Sequence, residues 1–258
     1  MKVYEFGDSQ KPAIMLLPGT CCSWKSFDGV RERLSKNMHV LCVSYDGFDE
    51  SENTTFISME DEVKKIEDYI IEKCHGEICA VYGCSLGGTF VAMLASRQNI
   101  KMHYGIVGSS DFDTTGKLLG KLAGKLVVKM IYPLIHTGTM QGFMKKRYDK
   151  RMQNSDAYMQ KMMEMFGVNN PRPFISKESI YNQFYTDLIT VLPYQIDNPN
   201  TEIHVFYAKK MGEKYLERYY KHFKKLVIHE DDLRHEELLV RFPYQWVKRI
   251  ESICHVEK

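Results

Sequence analysis

Apolar and polar positions change period repeatedly along this chain. Short continuous apolar runs occur at Ala13–Leu17, His39–Ser44, 78–82, 104–108, 203–208 and 226–229. Runs of this length, bounded by turn residues, predict strands buried on both faces. Lys2–Phe6 alternates only weakly and reads as an edge strand. Between these runs the period lengthens to that of a helix. Ser23 reads as the N-cap of a helix running to about residue 35. Ser58 reads as a second cap, followed by acids at Glu60, Asp61 and Glu62 and an apolar face of Val63, Ile66, Tyr69 and Ile70. Residues 86–96 carry Phe90, Val91 and Leu94 at helical spacing. An amphipathic helix separates the last two strands, and Pro243 opens a final helix with Trp246, Val247 and Ile250 facing inward. Strands alternating with helices predict an α/β fold with a largely parallel sheet.

One stretch breaks the alternation. Residues 114–195 have a helical pattern and no clear strand, and they hold eight of the 15 methionines. They divide the chain into a core of 1–113 and 196–258 and a helical cap lying over the sheet's working edge. Nine Lys and three Arg against five acids give the cap a balance of +7, and the remainder carries −5. The near-neutral total of +2 therefore hides a basic cap on an acidic body. Within the cap, residues 116–130 have a four-residue period. Lysines stand at 117, 121, 125 and 129, leucines at 118, 122 and 126, and glycines at 116, 120 and 124. On a helix these are adjacent stripes. The lysine–leucine stripes suit either a plain solvated face or contact with a membrane surface or an anionic substrate.

Composition excludes several classes. At 44% hydrophobic and 26% charged residues the chain is not disordered, and a net charge of +2 is too balanced for a general nucleic-acid binder. No run approaches the ~18 apolar residues of a membrane span. Seven cysteines without a C-x-x-C pair read as reduced thiols rather than a disulfide framework or a zinc site. A strand-like start at Met1 to Glu5 carries no signal-peptide core, so a cytoplasmic setting is expected.

Gly83-Cys84-Ser85-Leu86-Gly87 fits G-x-S-x-G. It follows the run 78–82 and opens a helix, which is the strand–turn–helix setting of a nucleophile elbow. The plain alternative is a glycine-rich turn with an ordinary exposed serine. A serine hydroxyl needs a base to act as a nucleophile at neutral pH. His235 lies on a loop past the last strand, where the base belongs, whereas His229 falls within or at the end of that strand. The oxyanion needs two backbone amides. Leu86 supplies one, and the loop Leu17-Pro18-Gly19-Thr20-Cys21 the other, with Thr20 the choice and Cys21 next.

With its Pro18-Gly19-Thr20 loop, its Gly83–Gly87 elbow, its helical insertion and its late histidine, the chain resembles the α/β-hydrolase superfamily, nearly end to end. Its Pro18-Gly19 stands where family members usually carry His-Gly. The resemblance implies a mostly parallel eight-stranded sheet, a helical cap, and hydrolysis through an acyl-enzyme without cofactor or metal. It also implies an acid that orients His235. The usual place, just past 203–208, is held by Met211, and Glu213 lies two residues on. A minority arrangement gives Asp111, three residues past Gly108. Asp231 and Asp232 are weaker alternatives, as is a triad with no acid.

Met159, Met162, Met163 and Met165, with Tyr158 and Phe166, read as an adaptable apolar wall over the serine. They favour a hydrophobic ester of a small molecule over a sugar or peptide. Three readings follow: a carboxylesterase or lipase-like serine hydrolase, an acyl-thioester hydrolase drawn to anionic coenzyme A by the basic cap, and a silent hydrolase fold that only binds. Oligomeric state, acyl chain length and leaving group are not legible in the sequence.

Overall fold

The computed structural model of the protein describes residues 1–139, 145–146, 149–150, 155–165 and 167–256. Its strands are β1 (Lys2–Phe6), β2 (Ala13–Leu17), β3 (His39–Ser44), β4 (Glu77–Gly83), β5 (Lys101–Val107), β6 (Glu202–Ala208) and β7 (Val227–Asp231). They form one sheet in the order β1-β3-β2-β4-β5-β6-β7. β1 pairs antiparallel with β3, through Val3 opposite Val43, and every other pairing is parallel. The parallel strands all end at one edge, so the loops that follow Leu17, Gly83, Val107, Ala208 and Asp231 converge there. Such an edge is where ligands bind in open α/β sheets. The sheet has seven strands among the described residues rather than eight. The six apolar runs and the edge strand Lys2–Phe6 account for the seven, and the eighth was implied only by resemblance.

Helices cover both faces. They are α1 (Arg31–Leu34), α2 (Met59–Lys73), α3 (Leu86–Arg97), α4 (Lys117–Thr137), α5 (Ala157–Met165), α6 (Lys177–Ile189), α7 (Glu213–His222), α8 (Glu237–Arg241) and α9 (Pro243–Ile253). One apolar core lies on the α2–α3 side, around Val63, Ile66, Phe90 and Val91. The other lies on the α9 side, around Phe27, Tyr82, Trp246 and Ile250. Ser58 caps α2 as its sequence predicts, accepting from the Asp61 amide at 3.0 Å. Ser23 does not act as a cap. The helix expected after it is only a 3-10 turn, Trp24–Phe27, and the four residues of α1. Asp28-Gly29 stands between the two, and glycine disfavours a continuous helix by about 1 kcal/mol.

Between β5 and β6 the described chain contains α4, α5 and α6 and no strand. α4 and α6 pack along each other. A methyl group at Gly120 would lie 3.0 Å from Ile189, and one at Gly124 would lie 3.1 Å from Tyr181. The glycine stripe is therefore the face that lets α4 approach α6 closely. Pro133 sits inside α4 and leaves a carbonyl one turn earlier without a donor. Phe166 lies outside the described residues.

Candidate active site

β4 runs directly into α3 through Gly83-Cys84-Ser85. At Ser85 the backbone has φ 50° and ψ −113°, a conformation that non-glycine residues rarely adopt. The turn is held by hydrogen bonds from the Cys84 amide to the Leu17 carbonyl (2.9 Å) and from the Gly87 amide to the Cys84 carbonyl (2.8 Å). Glycine is required on both sides of the serine. A Cβ at Gly83 would lie 2.1 Å from the Gly87 backbone, and one at Gly87 would lie 2.4 Å from the Leu17 carbonyl oxygen. The Ser85 hydroxyl makes no hydrogen bond among the described residues.

The loop after β2 passes beside this serine. A Cβ on Gly19 would stand 3.5 Å from the Ser85 Cβ. The next two amides differ in their engagement. Cys21, at φ 57°, donates its N–H to Gln183 Oε1 of α6 at 2.7 Å. The N–H groups of Thr20 and Leu86 donate to nothing among the described residues. An arriving oxyanion would find the Thr20 and Leu86 amides uncommitted and the Cys21 amide taken. Gln183 is fully buried, and its Nε2 has no partner among the described residues. Arg172 holds the same loop from the other side, with Nη1 donating to the Cys21 carbonyl at 2.6 Å.

Glu236 is the residue that sequence reasoning missed. It follows His235 directly, is 4% exposed, and sits at φ 53°. Its Oε1 accepts from the amides of Ser85 (2.9 Å) and Ser109 (2.7 Å), and its Oε2 from the Tyr82 hydroxyl (2.8 Å). Its own amide donates to Ser109 Oγ at 3.0 Å. One buried carboxylate thus ties the loop bearing His235 to the elbow bearing Ser85 and to the end of β5. The space for it comes from Gly108, where a Cβ would lie 2.4 Å from Glu236 Oε1. Burial and the neighbouring Glu236 push the Tyr82 hydroxyl and the Cys84 thiol far above their usual ranges. Burial also raises Cys21 and Cys22, so the thiols around the serine are protonated and poor nucleophiles.

The His235 ring makes no hydrogen bond among the described residues, to Ser85 or to any acid. Its carbonyl accepts from the Tyr158 hydroxyl of α5 at 2.8 Å, and Arg234 stacks over the Tyr158 ring at 3.9 Å. Asp111 lies in the loop after β5 and Glu213 just past the loop after β6, and both are exposed. Asp111 Oδ1 accepts from the Asp113 amide at 3.1 Å, and its carbonyl accepts from Arg218. Glu213 is the first residue of α7. Neither carboxylate is hydrogen-bonded to His235. Asp231 is engaged by Arg249 at 2.5 and 3.0 Å, and Asp232 pairs with Lys210 at 3.7 Å. His229 lies in β7 and stacks on His204, with ring nitrogens 2.9 Å apart, and burial lowers its pKa to about 4.

A further buried carboxyl approaches from α6. Burial of the Asp187 carboxyl, reinforced by Asp111 and Asp113 and opposed by Thr89 of α3, raises its pKa to about 8. The methionines of α5 are half-buried, and Met165 lines a cavity of about 380 Å³ together with Trp24, Phe48, Arg172, Phe174 and Leu239. Ser85 and His235 do not line this cavity.

No protein-family model and no curated protein matches this sequence. Solved structures do match. A hydrolase-family protein from Desulfitobacterium hafniense superposes with a TM-score of 0.78 at 17% identity, over 98% of this chain and 99% of that one. An esterase from Thermogutta terrifontis gives 0.69 at 16% identity, over 97% and 91%. The type II thioesterase BorB of the borrelidin cluster gives 0.62 at 13% identity, over 98% and 96%. At such identities the likeness establishes architecture alone: the chain has the α/β-hydrolase fold.

Proposed function

We propose that this protein is a serine hydrolase that cleaves a carboxylic ester of a hydrophobic acyl or aryl group. The observation that carries the reading is Ser85. It is held in a strained turn at the end of β4 with its hydroxyl uncommitted, next to unengaged amides at Thr20 and Leu86. Strain that the surroundings enforce so strongly is characteristic of functional sites. In the proposed reaction the Ser85 oxygen attacks the ester carbonyl, and His235 accepts the serine proton. The Thr20 and Leu86 amides stabilise the oxyanion. Collapse breaks the bond to the alcohol, which leaves with the proton from His235. Water, deprotonated by His235, then releases the acid and restores Ser85. Residues 114–195 serve as the cap over this site, and Glu213 and Asp111 remain the alternatives for the acid that orients His235. Glu236 is a positioning residue, because it holds the Ser85 amide and the backbone of the His235 loop rather than any reacting atom.

A thioester is the second reading. The +7 balance of residues 114–195 suits an anionic carrier such as coenzyme A, and turnover of such a substrate would fall steeply with salt.

The test is intact-mass detection of a fluorophosphonate adduct on the wild type and on Ser85→Ala. A single adduct that disappears in the variant is the expected result. Folded wild-type protein that forms no adduct under prolonged exposure would refute an activated serine and favour a binding role.

A further inference from the structure

The outer face of α4 has an unusual composition for a surface helix. Leu118, Leu119, Leu122 and Leu126 are 74%, 63%, 58% and 59% exposed, and Met130 is 45% exposed. Their spacing puts all five on one side of the helix, roughly opposite Gly120 and Gly124. The glycine side is buried against α6. The apolar side is therefore the outward one, and it extends about 18 Å along the helix axis. Isolated exposed leucines need no explanation, but four on one helix face form a contiguous patch.

Charge identifies what this patch fits. Lys117, Lys121, Lys125 and Lys129 run beside the leucines, and all four are exposed. None forms an ion pair among the described residues, and α4 contains no acid at all. By contrast Lys64 and Lys65 on α2 both pair with carboxylates of their own helix. A second copy of α4 would bring lysines against lysines. A surface that is negatively charged outside and hydrocarbon beneath satisfies both stripes at once, since lysine stems can lie along it while their ammonium groups reach the headgroups. We propose that α4 docks this protein on an anionic lipid bilayer surface.

The position of α4 extends the proposed hydrolase function, on which this step rests. The helix starts beyond β5 at the sheet's carboxyl edge, where the Thr115 amide bonds the Leu188 carbonyl. It packs on α6, and α6 holds the Cys21 amide through Gln183. A protein resting on α4 would present the loops around Ser85 close to the bilayer. The substrate would then be an acyl ester drawn from the lipid phase rather than from free solution.

The experiment is vesicle co-sedimentation of the full chain carrying Ser85→Ala, so that binding is read without turnover. The vesicles are phosphatidylcholine alone, and phosphatidylcholine with about one-third phosphatidylglycerol. Expected is binding to the anionic vesicles that weakens with salt. Leu118→Gln/Leu122→Gln/Leu126→Gln should weaken it at least about tenfold, and Gln at the four lysines should abolish the preference for anionic lipid. These positions are exposed, so circular dichroism should be unchanged. No binding to anionic vesicles, or equal binding by the leucine variant, overturns the proposal. A solution dimer that the leucine substitutions dissociate, without vesicle binding, also overturns it and assigns the face to a second copy. Because no arm requires catalysis, a failed fluorophosphonate test and a failed docking test are distinguishable.

Discussion

Glu236 Oε1 accepts the amide of Ser85 at 2.9 Å, so the residue next to the proposed base holds the backbone of the proposed nucleophile. The Ser85 amide belongs to a residue at φ 50°, and the carboxylate that fixes it belongs to one at φ 53°. Two strained positions on separate loops thus brace each other. The contact ties the Ser85 backbone to the loop that carries His235.

Removing that brace should cost both stability and rate. Glu236→Ala leaves the Ser85 amide, the Ser109 amide and the Tyr82 hydroxyl without their acceptor, and unsatisfied buried donors cost about 1–3 kcal/mol each. Glu236→Gln keeps one acceptor for the two amides. Its amide group can face the Tyr82 hydroxyl, so it should lose much less. Gly108→Ala, whose methyl would displace Oε1, should resemble Glu236→Ala. Urea melts and ester turnover on the three variants test the order. A kcat loss that is as large in Glu236→Gln as in Glu236→Ala would show that charge matters more than the hydrogen-bond framework.

Ser85→Ala and His235→Ala should each lower kcat by roughly 10³-fold or more. The acid is separated by the same assay. Asp111→Asn and Glu213→Gln are both exposed substitutions, so neither should unfold the protein. One should lose activity sharply and the other should not. If both retain full turnover, Ser85 and His235 operate without either carboxylate. If Ser85→Ala and His235→Ala keep near-full activity, the assigned site is wrong.

The sheet and the elbow were legible because their signals are local. Buried strands write themselves as apolar runs, and Gly83-x-Ser85-x-Gly87 is dictated by clashes within five residues. The missing helix after Ser23 was misread because the capping residue outweighed Asp28-Gly29 five positions later. Glu236 was invisible for a different reason. An acid beside a histidine in a loop looks like any solvated pair, and its donors come from β4, β5 and the elbow, over 120 residues away in sequence. The trace it does leave is Gly108, which ends a strand with no turn of its own that calls for glycine. The acid was ambiguous in the sequence, and in the folded chain neither candidate reaches His235 with a hydrogen bond.

Gln183 should matter for the proposed oxyanion loop although it lies on α6. Its Oε1 fixes the Cys21 amide, one residue from Thr20. Gln183→Leu removes that acceptor and leaves a buried N–H unsatisfied. The loop can then turn, and kcat should fall by roughly tenfold or more with little change in KM, because the lost contact matters for transition-state charge. Gln183→Glu, which retains the acceptor, should recover much of the loss. Unchanged kcat in Gln183→Leu would separate α6 from the oxyanion loop.

Asp187 makes stability depend on pH in a defined direction. Burial raises its pKa from 3.8 to about 8, with Asp111 and Asp113 acting in the same sense and the Thr89 hydroxyl opposing them. Between these two values the folded chain holds a proton that the unfolded chain has released. The folded state therefore binds more protons, and stability falls as pH rises from about 4 to about 8. Asp187→Asn keeps the shape of the side chain without the titration. The variant should be close to the wild type near pH 4.5 and more stable than it at pH 8.5, with the gap widening steadily between, at up to about 1.4 kcal/mol per pH unit. Glu62, pushed up to about 7 by burial, slopes the same way in both proteins and cancels in the difference. Urea midpoints of the pair across this range measure the gap directly. A constant gap would mean that the Asp187 carboxyl is solvated and carries an ordinary charge in the folded protein.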